Sequence, residues 1–383
     1  MTVANDAAEN AERAASIHRE FVQLAFLVAI AVAAFFLTRA VAASNRALNL
    51  RNAAEWYHRG QQALEQGHVE DAIDAFRRAT IRKRGDKTYL LGLSRALVMR
   101  QDFSAARSVL LTLREAAPED AEVNLELARL SVQRQDVSEA VRFYHSALYA
   151  PWTPELAEAR RQVRFELIRF LLSHDQDARA VSELLAAASD LPDQPAAHLE
   201  VAQLFFQAND FPHALEHFQR VLRLAPAEGS ALAGAGRSAF ELGNYTQART
   251  YLRRAPADLP DVSTTRALAE LVLANDPLAN RIGSAERRRR LTSDLRYARE
   301  RLVGCIAATA ADRSVNGRGD LQHELEAFSQ NLKPTAALDQ DTIESGVDLL
   351  DRAAHHFIGT CGPPTPLDRA LVLIGQHHKG DTR

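Results

Sequence analysis

Side chains that could bind a metal are concentrated in the last quarter of the chain, as His355-His356, His377-His378 and Cys361. Imidazole and thiolate groups are the usual ligands of Zn²⁺. Adjacent residues on a helix diverge by roughly 100°, however, so neither histidine pair is arranged to chelate one ion. We therefore interpret them as surface histidines and expect no metal and no cofactor.

Catalytic motifs are missing from the sequence. It contains no G-x-S-x-G, Walker A, G-x-G-x-x-G or H-E-x-x-H pattern, and each of these would place a nucleophile, a phosphate-binding loop or a metal on a defined turn or helix. The carboxylates are spread over predicted helix faces without a distinct pair. We expect the protein not to be an enzyme.

The overall charge gives no basis for wholesale nucleic-acid binding. The chain has 383 residues, 46% of them hydrophobic, and a formal net charge of −3, whereas nucleic-acid binding requires a strong basic field. The run of four arginines at residues 287–290 follows Glu286 at the start of a predicted helix, and we interpret it as a solvated face rather than a site for nucleic acid or anionic lipid. Arginine greatly outnumbers lysine, which indicates a GC-rich, bacterial genome.

The two cysteines, Cys305 and Cys361, have no C-x-x-C spacing, which excludes a zinc ribbon and a thioredoxin-like motif. Two interpretations remain open: one disulfide, as expected in an oxidising compartment, or two small buried thiols.

Residues 21–37 form a run without charge in which only Gln23 is polar, and residues 38–43 extend it with Arg39 as the one interruption. About 20 apolar residues are needed to cross a bilayer. An A-x-A site at residues 40–42 also fits a cleaved signal peptide, and a buried helix of a soluble protein is a third interpretation. We favour an uncleaved single-pass anchor, because the run is long and the preceding residues mix acidic and basic side chains.

A repeat of 34 residues fills positions 53–262, with six extra residues at 155–160. The twentieth position of every unit is alanine: Ala72, Ala106, Ala140, Ala180, Ala214 and Ala248. The twenty-fourth is bulky: Phe76, Leu110, Tyr144, Leu184, Phe218 and Leu252. The eighth is mostly small: Gly60, Ser94, Ala128, Ile168, Ala202 and Gly236. We predict that the small residues let two helices approach and that the bulky side chain fills the space beside them.

This pattern resembles the tetratricopeptide repeat, whose signature is matched best by Trp56, Gly60, Ala72, Phe76 and Ala79. The resemblance implies an all-α fold, a superhelical solenoid of helix hairpins that binds proteins or peptides. Here a single transmembrane helix precedes the solenoid and a small helical domain follows it.

The predicted organisation has these parts: tail 1–20, anchor 21–44, linker 45–52, six repeats (53–86, 87–120, 121–154, 161–194, 195–228 and 229–262), capping helix and linker 263–283, and C-terminal helical domain 284–383. Apolar spacing predicts helices in the last domain: one through Leu291, Leu295, Ala298, Leu302 and Ile306, a shorter one through Leu321, Leu325, Phe328 and Leu332, and one through Ile343, Val347, Leu350, Ala354 and Phe357. Thr365-Pro366 is typical of the start of a final helix ending near His377.

The resemblance also places the ninth residue of each repeat on the concave face. These residues are Gln61, Arg95, Arg129, Arg169, Gln203 and Arg237. Guanidinium groups bind carboxylates through paired hydrogen bonds, so the expected ligand is an acidic peptide or an acidic partner helix. The alternative is internal pairing of Arg129 and Arg169 with a glutamate three residues earlier. Arg95 and Arg237 have glycine at that place and are expected to lack this partner.

Two functional hypotheses follow. The favoured one is a membrane-tethered scaffold that holds an envelope protein or an acidic peptide in its groove. The alternative is a permanent accessory subunit of a larger bacterial membrane complex. Three basic residues follow the apolar run within about 15 positions and two precede it, so the positive-inside rule hardly discriminates. The isolated cysteine pair favours repeats in the bacterial periplasm, with the cytoplasmic face as the alternative.

Overall fold

The computed structural model describes residues 2–308, 318–332 and 338–380. These residues form α-helices and one short 3₁₀ turn at Pro154–Leu156, without a β-strand in the described ranges. The helices are α1 Thr2–Glu65, α2 Val69–Arg82, α3 Lys87–Met99, α4 Phe103–Ala116, α5 Ala121–Gln133, α6 Val137–Leu148, α7 Ala157–Leu172, α8 Asp177–Ala188, α9 Pro195–Gln207, α10 Phe211–Leu224, α11 Gly229–Glu241, α12 Tyr245–Leu252, α13 Val262–Asn275, α14 Ser284–Ala308, α15 Arg318–Asn331, α16 Gln340–Thr360 and α17 Pro366–Gly380. Three parts of the predicted C-terminal domain, 309–317, 333–337 and 381–383, lie outside the described residues, as does the side chain of Ile306.

Helix α1 is continuous from Thr2 to Glu65. It contains most of the predicted tail, the apolar run, residues 45–52 and the first helix of the first repeat. The segment interpreted as a linker is therefore helical. The physical reason is that residues 2–59 contain neither glycine nor proline, so nothing in this stretch stops a helix.

The chain divides into two compact units, Met1–Leu167 and Ile168–Arg383. The division falls within α7, in the fourth repeat. The first unit contains the hairpins α1–α2, α3–α4 and α5–α6, and the second contains α9–α10, α11–α12 and the five helices α13 to α17. The domain boundaries proposed at residues 262 and 283 stay predictions.

The second helix of every predicted repeat carries the invariant alanine on its buried side. The six alanines of the twentieth position are all 0% exposed. The bulky residues of the twenty-fourth position are buried as well, with Tyr144 the most accessible at 3%.

Glycine at two positions admits one aromatic ring in the first unit. A Cβ on Gly60 would lie 2.7 Å from Cε1 of Phe76, and a Cβ on Gly92 in the next repeat would lie 2.8 Å from the same carbon. Both distances are shorter than side-chain packing allows. The ring of Phe76 therefore fills the space between two successive repeats, as the small and bulky positions predicted.

Each hairpin turns through a residue in the left-handed conformation at the fifteenth position of the repeat. These residues are Gly67, Gln101, Gln135, Asp175, Asn209 and Gly243, with φ between 54° and 78°. Only two of the six are glycine, although this conformation favours glycine. The shared geometry confirms that the six units have one register, and the residue types alone had not revealed it.

In the second unit, the C-terminal helices share a core with the last repeat. Tyr245 of α12 and Val272 of α13 belong to the same buried cluster as Leu291 and Leu295 of α14 and Phe357 of α16. The apolar spacings predicted for α14 and α16 are confirmed, because their described apolar members are buried. This cluster covers the end of the repeats with apolar packing.

The predicted start of the last helix is also confirmed. Oγ1 of Thr365 accepts a hydrogen bond from the amide of Asp368 at 3.1 Å, and the Asp368 carboxylate accepts one from the Thr365 amide at 2.8 Å. This is a reciprocal cap of the kind that fixes a helix start. Cys305 of α14 and Cys361, directly after α16, are joined by a disulfide with a Cα to Cα distance of 5.1 Å. Of the two interpretations for the cysteines, the structure has the disulfide.

Candidate functional site

The ninth-position arginines of the first unit are engaged with glutamates of the following repeat. Nε and Nη2 of Arg95 donate to Oε1 of Glu126 at 3.0 and 2.8 Å, and Nη2 also reaches Oε1 of Glu122 at 3.1 Å. As expected, Arg95 has no carboxylate partner three residues earlier on its own helix, where Gly92 stands. It is nevertheless paired, because glutamates of α5 in the next repeat reach its guanidinium group.

Arg129 repeats the arrangement. Its Nε and Nη2 donate to Oε1 of Glu166 at 3.2 and 2.9 Å, while Nη1 lies at a longer 3.4 Å from Glu126 of its own helix. The internal partner predicted for Arg129 was Glu126. The shorter hydrogen bonds are to Glu166, in the next repeat. Burial raises the pKa of the neighbouring Tyr144 to about 12, so its hydroxyl stays neutral beside this pair.

In the second unit, Arg169 donates from Nη2 to the carboxylate of Glu200 on α9. Glu126, Glu166 and Glu200 all occupy the sixth position of their repeats. The rule is thus simple: an arginine at the ninth position pairs with a glutamate at the sixth position of the next repeat. Such partly exposed pairs each contribute about 0.2–1 kcal/mol.

Glutamine replaces arginine where the next repeat has glycine at the sixth position. Gln61 precedes the repeat with Gly92, and Gln203 precedes the repeat with Gly234. Nε2 of Gln61 donates to the hydroxyl of Tyr57 at 3.2 Å. At these two repeat junctions the carboxylate is absent, and a buried aromatic ring, Phe76 or Phe218, fills the space beside the glycine.

At the second of these junctions, between the fifth and sixth repeats, the second unit contains a cavity of about 590 Å³. Its lining includes Gln203, Phe206, Phe218, Gly234 and Arg237. A Cβ on Gly234 would lie 2.2 Å from Cζ of Phe218, so only glycine lets this ring reach the cavity. The site therefore combines an aromatic floor with amide and guanidinium groups at its edge. We call it the Arg237 pocket.

Arg237 is the least constrained of the ninth-position arginines. Its guanidinium carbon lies 4.6 Å from the centre of the Phe206 ring, a cation–π distance. Its contact with a carboxylate is long, at 3.8 Å from Nη2 to Oδ2 of the exposed Asp261. The expectation that Gly234 leaves Arg237 without a partner on its own helix agrees with this geometry, although Asp261 is nearby.

The histidines considered as metal ligands contact other residues of the second unit. Nε2 of His378 lies 3.0 Å from Oδ1 of Asp276, and Nδ1 of His355 lies 2.9 Å from the carbonyl oxygen of Asp351. His377 packs its ring against Tyr245. In the described ranges no three potential ligands are grouped to hold a metal ion.

The arginine run at the start of α14 is only partly a solvated face. Nη1 of Arg290 donates to the carbonyl oxygens of Leu273 and Asp276, both at 2.9 Å, and so caps the end of α13. Arg289 and Arg290 both donate to Glu286 and lower the pKa of that carboxyl to about 2. Tertiary position, which the sequence pattern could not show, gives Arg290 its role.

The apolar run near the amino terminus is a candidate membrane span. Within Leu27–Glu65 an 18-residue window reaches a mean hydropathy of 2.0, and none of that window is buried. Large apolar side chains such as Leu27, Phe35 and Leu37 are exposed. An exposed apolar helix of this length is typical of a membrane anchor or a signal sequence.

Helix hairpins in one register define an α-helical repeat scaffold. The tetratricopeptide repeat family matches residues 63–130 and, in two overlapping stretches, residues 171–229 and 199–263. The chain is a tetratricopeptide repeat protein, and its apolar N-terminal helix is a candidate anchor. Proteins of this fold are typically non-catalytic scaffolds for protein–protein interaction.

Several solved structures are similar to the chain. YrrB, described as a TPR protein with an unusual peptide-binding site, is 18% identical over 52% of this chain and 99% of its own, with a TM-score of 0.40. PilF of Pseudomonas aeruginosa is 16% identical over 57% of this chain and 98% of its own, with a TM-score of 0.39. MamA is 13% identical over 56% and 94%, with a TM-score of 0.30. No curated protein matches the sequence.

Proposed function

We propose that the protein is a membrane-tethered scaffold that binds an acidic peptide or an acidic segment of an envelope protein in the Arg237 pocket. The observation that carries this proposal is a cavity that combines aromatic lining side chains with a guanidinium group whose carboxylate contact is long, at 3.8 Å. Peptide sites on proteins pair an apolar anchor pocket with a few polar groups that fix orientation.

Electrostatics favour an acidic partner. The side chains of Arg237 and Asp261 are 36% and 63% exposed, and the separation of 3.8 Å is at the limit of an ion pair. A partner carboxylate could replace Asp261 at a bidentate distance, which guanidinium groups favour. Gln203 at the same edge adds an amide that donates and accepts hydrogen bonds.

The proposed location is the bacterial periplasm, with the amino terminus in the cytoplasm. Support comes from the exposed apolar side chains of α1 and from the Cys305–Cys361 disulfide, because disulfides persist in oxidising compartments. Cysteine labelling of intact and permeabilised cells tests this orientation. Two free thiols that react only from the cytoplasmic side would overturn it in favour of the cytoplasmic face.

Photo-cross-linking in the full chain tests the binding site. A photoreactive residue replaces Gln203, and the same residue replaces Arg223, which is exposed on α10 of the same unit, as a matched control. We expect Gln203 to cross-link a defined protein and Arg223 not to. Arg237→Glu should abolish the product, while Arg223→Glu should preserve it. Equal products at both positions, or a product insensitive to Arg237→Glu, would remove the pocket from the function.

A second candidate function is a permanent accessory subunit of a larger membrane complex. It is favoured by the pairing of Arg95, Arg129 and Arg169 with glutamates of the chain itself, because these positions then act as architecture. A fixed stoichiometry with other membrane proteins after detergent extraction supports this alternative. Weak, exchangeable partners support the scaffold.

A further inference from the structure

A basic surface lies on the first hairpin, where α1 leaves the apolar run. Residues 38–54 and 75–85 contain three and five basic residues, respectively, and no acidic residue. We define the basic surface as Arg46 on α1 together with Arg82, Lys83 and Arg84 at the end of α2, all of them exposed. Ile81 directly precedes Arg82 on α2, and 69% of its area is exposed.

The hairpin brings these residues back to the level of the membrane. Helix α1 leads away from the apolar run, and α2 returns beside it, so that Nη1 of Arg82 donates to Oδ1 of Asn49 at 3.3 Å. Asn49 is five residues beyond the end of the predicted span, or about 8 Å along the helix. The headgroup layer on each side of a bilayer is about 5–7 Å deep. The end of α2 therefore lies at the outer edge of the headgroup layer when α1 spans the bilayer.

A groove of about 430 Å³ separates the two helices at this level. Arg46, Arg82 and Lys83 line it together with the apolar side chains of Ala42 and Leu50. Phosphate esters are recognised by clustered cations, and the apolar wall suits the upper part of an acyl chain.

The charges of this surface are largely uncompensated. Lys83 pairs with Asp86 at 2.8 Å. No carboxylate among the described residues pairs with Arg46, Arg82 or Arg84, whereas the next repeat pairs Arg100 with both Glu70 and Asp102. Folding therefore does not neutralise the basic surface, which leaves it for a ligand outside the chain.

We propose that the basic surface docks on the anionic lipid headgroups of the bilayer that holds α1. The guanidinium groups of Arg46, Arg82 and Arg84 contact lipid phosphates, and Ile81 enters the interface. This inference rests on the proposed membrane anchor. It requires anionic lipid in the leaflet that faces the repeats, and it holds the first hairpin against the membrane instead of leaving it free at the end of a tether.

The test uses the full chain with an environment-sensitive fluorophore at Ile81→Cys. The native cysteines are joined to each other, so the label reacts only at the new thiol. Met99→Cys is the control, because Met99 is also exposed, at 54%. Helix α3 begins near the basic surface and is about 20 Å long, and Met99 lies at its far end. Both proteins are reconstituted in vesicles of phosphatidylcholine alone and of phosphatidylcholine mixed with phosphatidylglycerol.

We expect a blue shift at residue 81 in the mixed vesicles only, with no shift at residue 99. The shift should be lost at high salt, which screens exposed charges, and in the variant Arg82→Gln, Lys83→Gln, Arg84→Gln. A chain that floats with both vesicles but shows the same emission at residue 81 in each overturns the docking alone. A chain that floats with neither overturns the anchor and the docking together.

Discussion

At the scale of single residues, the sixth and ninth positions of successive repeats are coupled. Arginine faces glutamate across three repeat junctions, while glutamine faces glycine across two others. The glycines are explained by the neighbouring rings, since Phe76 and Phe218 occupy the space that a side chain would need. Glycine thus both makes room for the ring and removes the carboxylate partner of the preceding repeat's ninth residue.

Gly234→Ala tests this interpretation. A new Cβ would lie 2.2 Å from the Phe218 ring, and we expect overpacking to destabilise the second unit by about 1–3 kcal/mol despite the better helix propensity of alanine. Gly304→Ala on α14 is the control, because no atom lies within 4 Å of its Cβ position. Urea unfolding measures both. Equal stability of the two variants would contradict the proposed close contact.

A buried carboxyl gives a second prediction at this scale. Burial raises the pKa of Asp294 from 3.8 to about 7, with Arg290 and Arg289 opposing the shift and the Asp276 carboxylate adding to it. One oxygen of Asp294 has no hydrogen-bond partner. The native state therefore holds this proton more tightly than the unfolded chain.

Stability therefore falls as the pH rises. The contribution of Asp294 to stability is fully present below pH 3.8 and is lost as the pH rises towards 7, by at most about 1.4 kcal/mol per pH unit. Asp294→Asn should remove this loss, so that the variant gains stability over the native chain between pH 5 and pH 8. Unfolding in urea at both pH values measures the difference. A gain that is identical at both would refute the assignment.

At the scale of elements, the disulfide fixes α14 to the end of α16 within the second unit. The two cysteines are 56 residues apart, and part of the intervening chain, residues 309–317 and 333–337, lies outside the described residues. A cross-link across a loop of this length restricts the unfolded chain strongly.

Reduction should therefore destabilise the helices after the repeats. We expect Cys305→Ser with Cys361→Ser to lose about 2–4 kcal/mol relative to the oxidised protein. Thermal unfolding with and without dithiothreitol measures the effect. The double variant, which has no thiol, should not respond to the reductant. An oxidised native protein whose unfolding ignores the reductant would show that no such bond stabilises the fold.

At the scale of the whole molecule, one continuous helix joins the apolar run to the first hairpin. Residues 2–59 of this helix contain neither glycine nor proline, so the helix transmits orientation along its length, in contrast to a flexible linker. With the proposed membrane anchor, the position of the first hairpin therefore depends on how α1 lies in the bilayer. The candidate membrane span and the first helix of the first repeat are thus parts of one element.

Charges placed in the centre of the apolar run test the anchor. In the double variant Val32→Arg, Phe36→Arg, each substitution should cost about 2.5–3.5 kcal/mol of insertion free energy. The double variant should therefore be released from membranes washed with carbonate. Ala47→Arg with Leu48→Arg, on the exposed part of α1 beyond the run, is the control and should leave the chain in the pellet. Release of both variants, or of neither, would show that the run is not the anchor.

The sequence alone determined the repeat, its register and the helices after it. Periodicity carries this information locally, because Ala140 or Leu295 must be buried wherever its helix packs. Hairpin formation is equally local, since the two helices of a repeat are neighbours in the chain.

Only the tertiary structure decided which ninth-position arginines have a close carboxylate partner. Arg95 pairs with a glutamate 31 residues away, and Arg290 caps a helix 17 residues back, so neither partner lies within one helical turn, where sequence spacing can locate it. The Arg237 pocket likewise depends on the Phe218 ring of the preceding repeat. Pairing within a helix follows from spacing along one element, whereas pairing between repeats depends on how successive elements are placed in space.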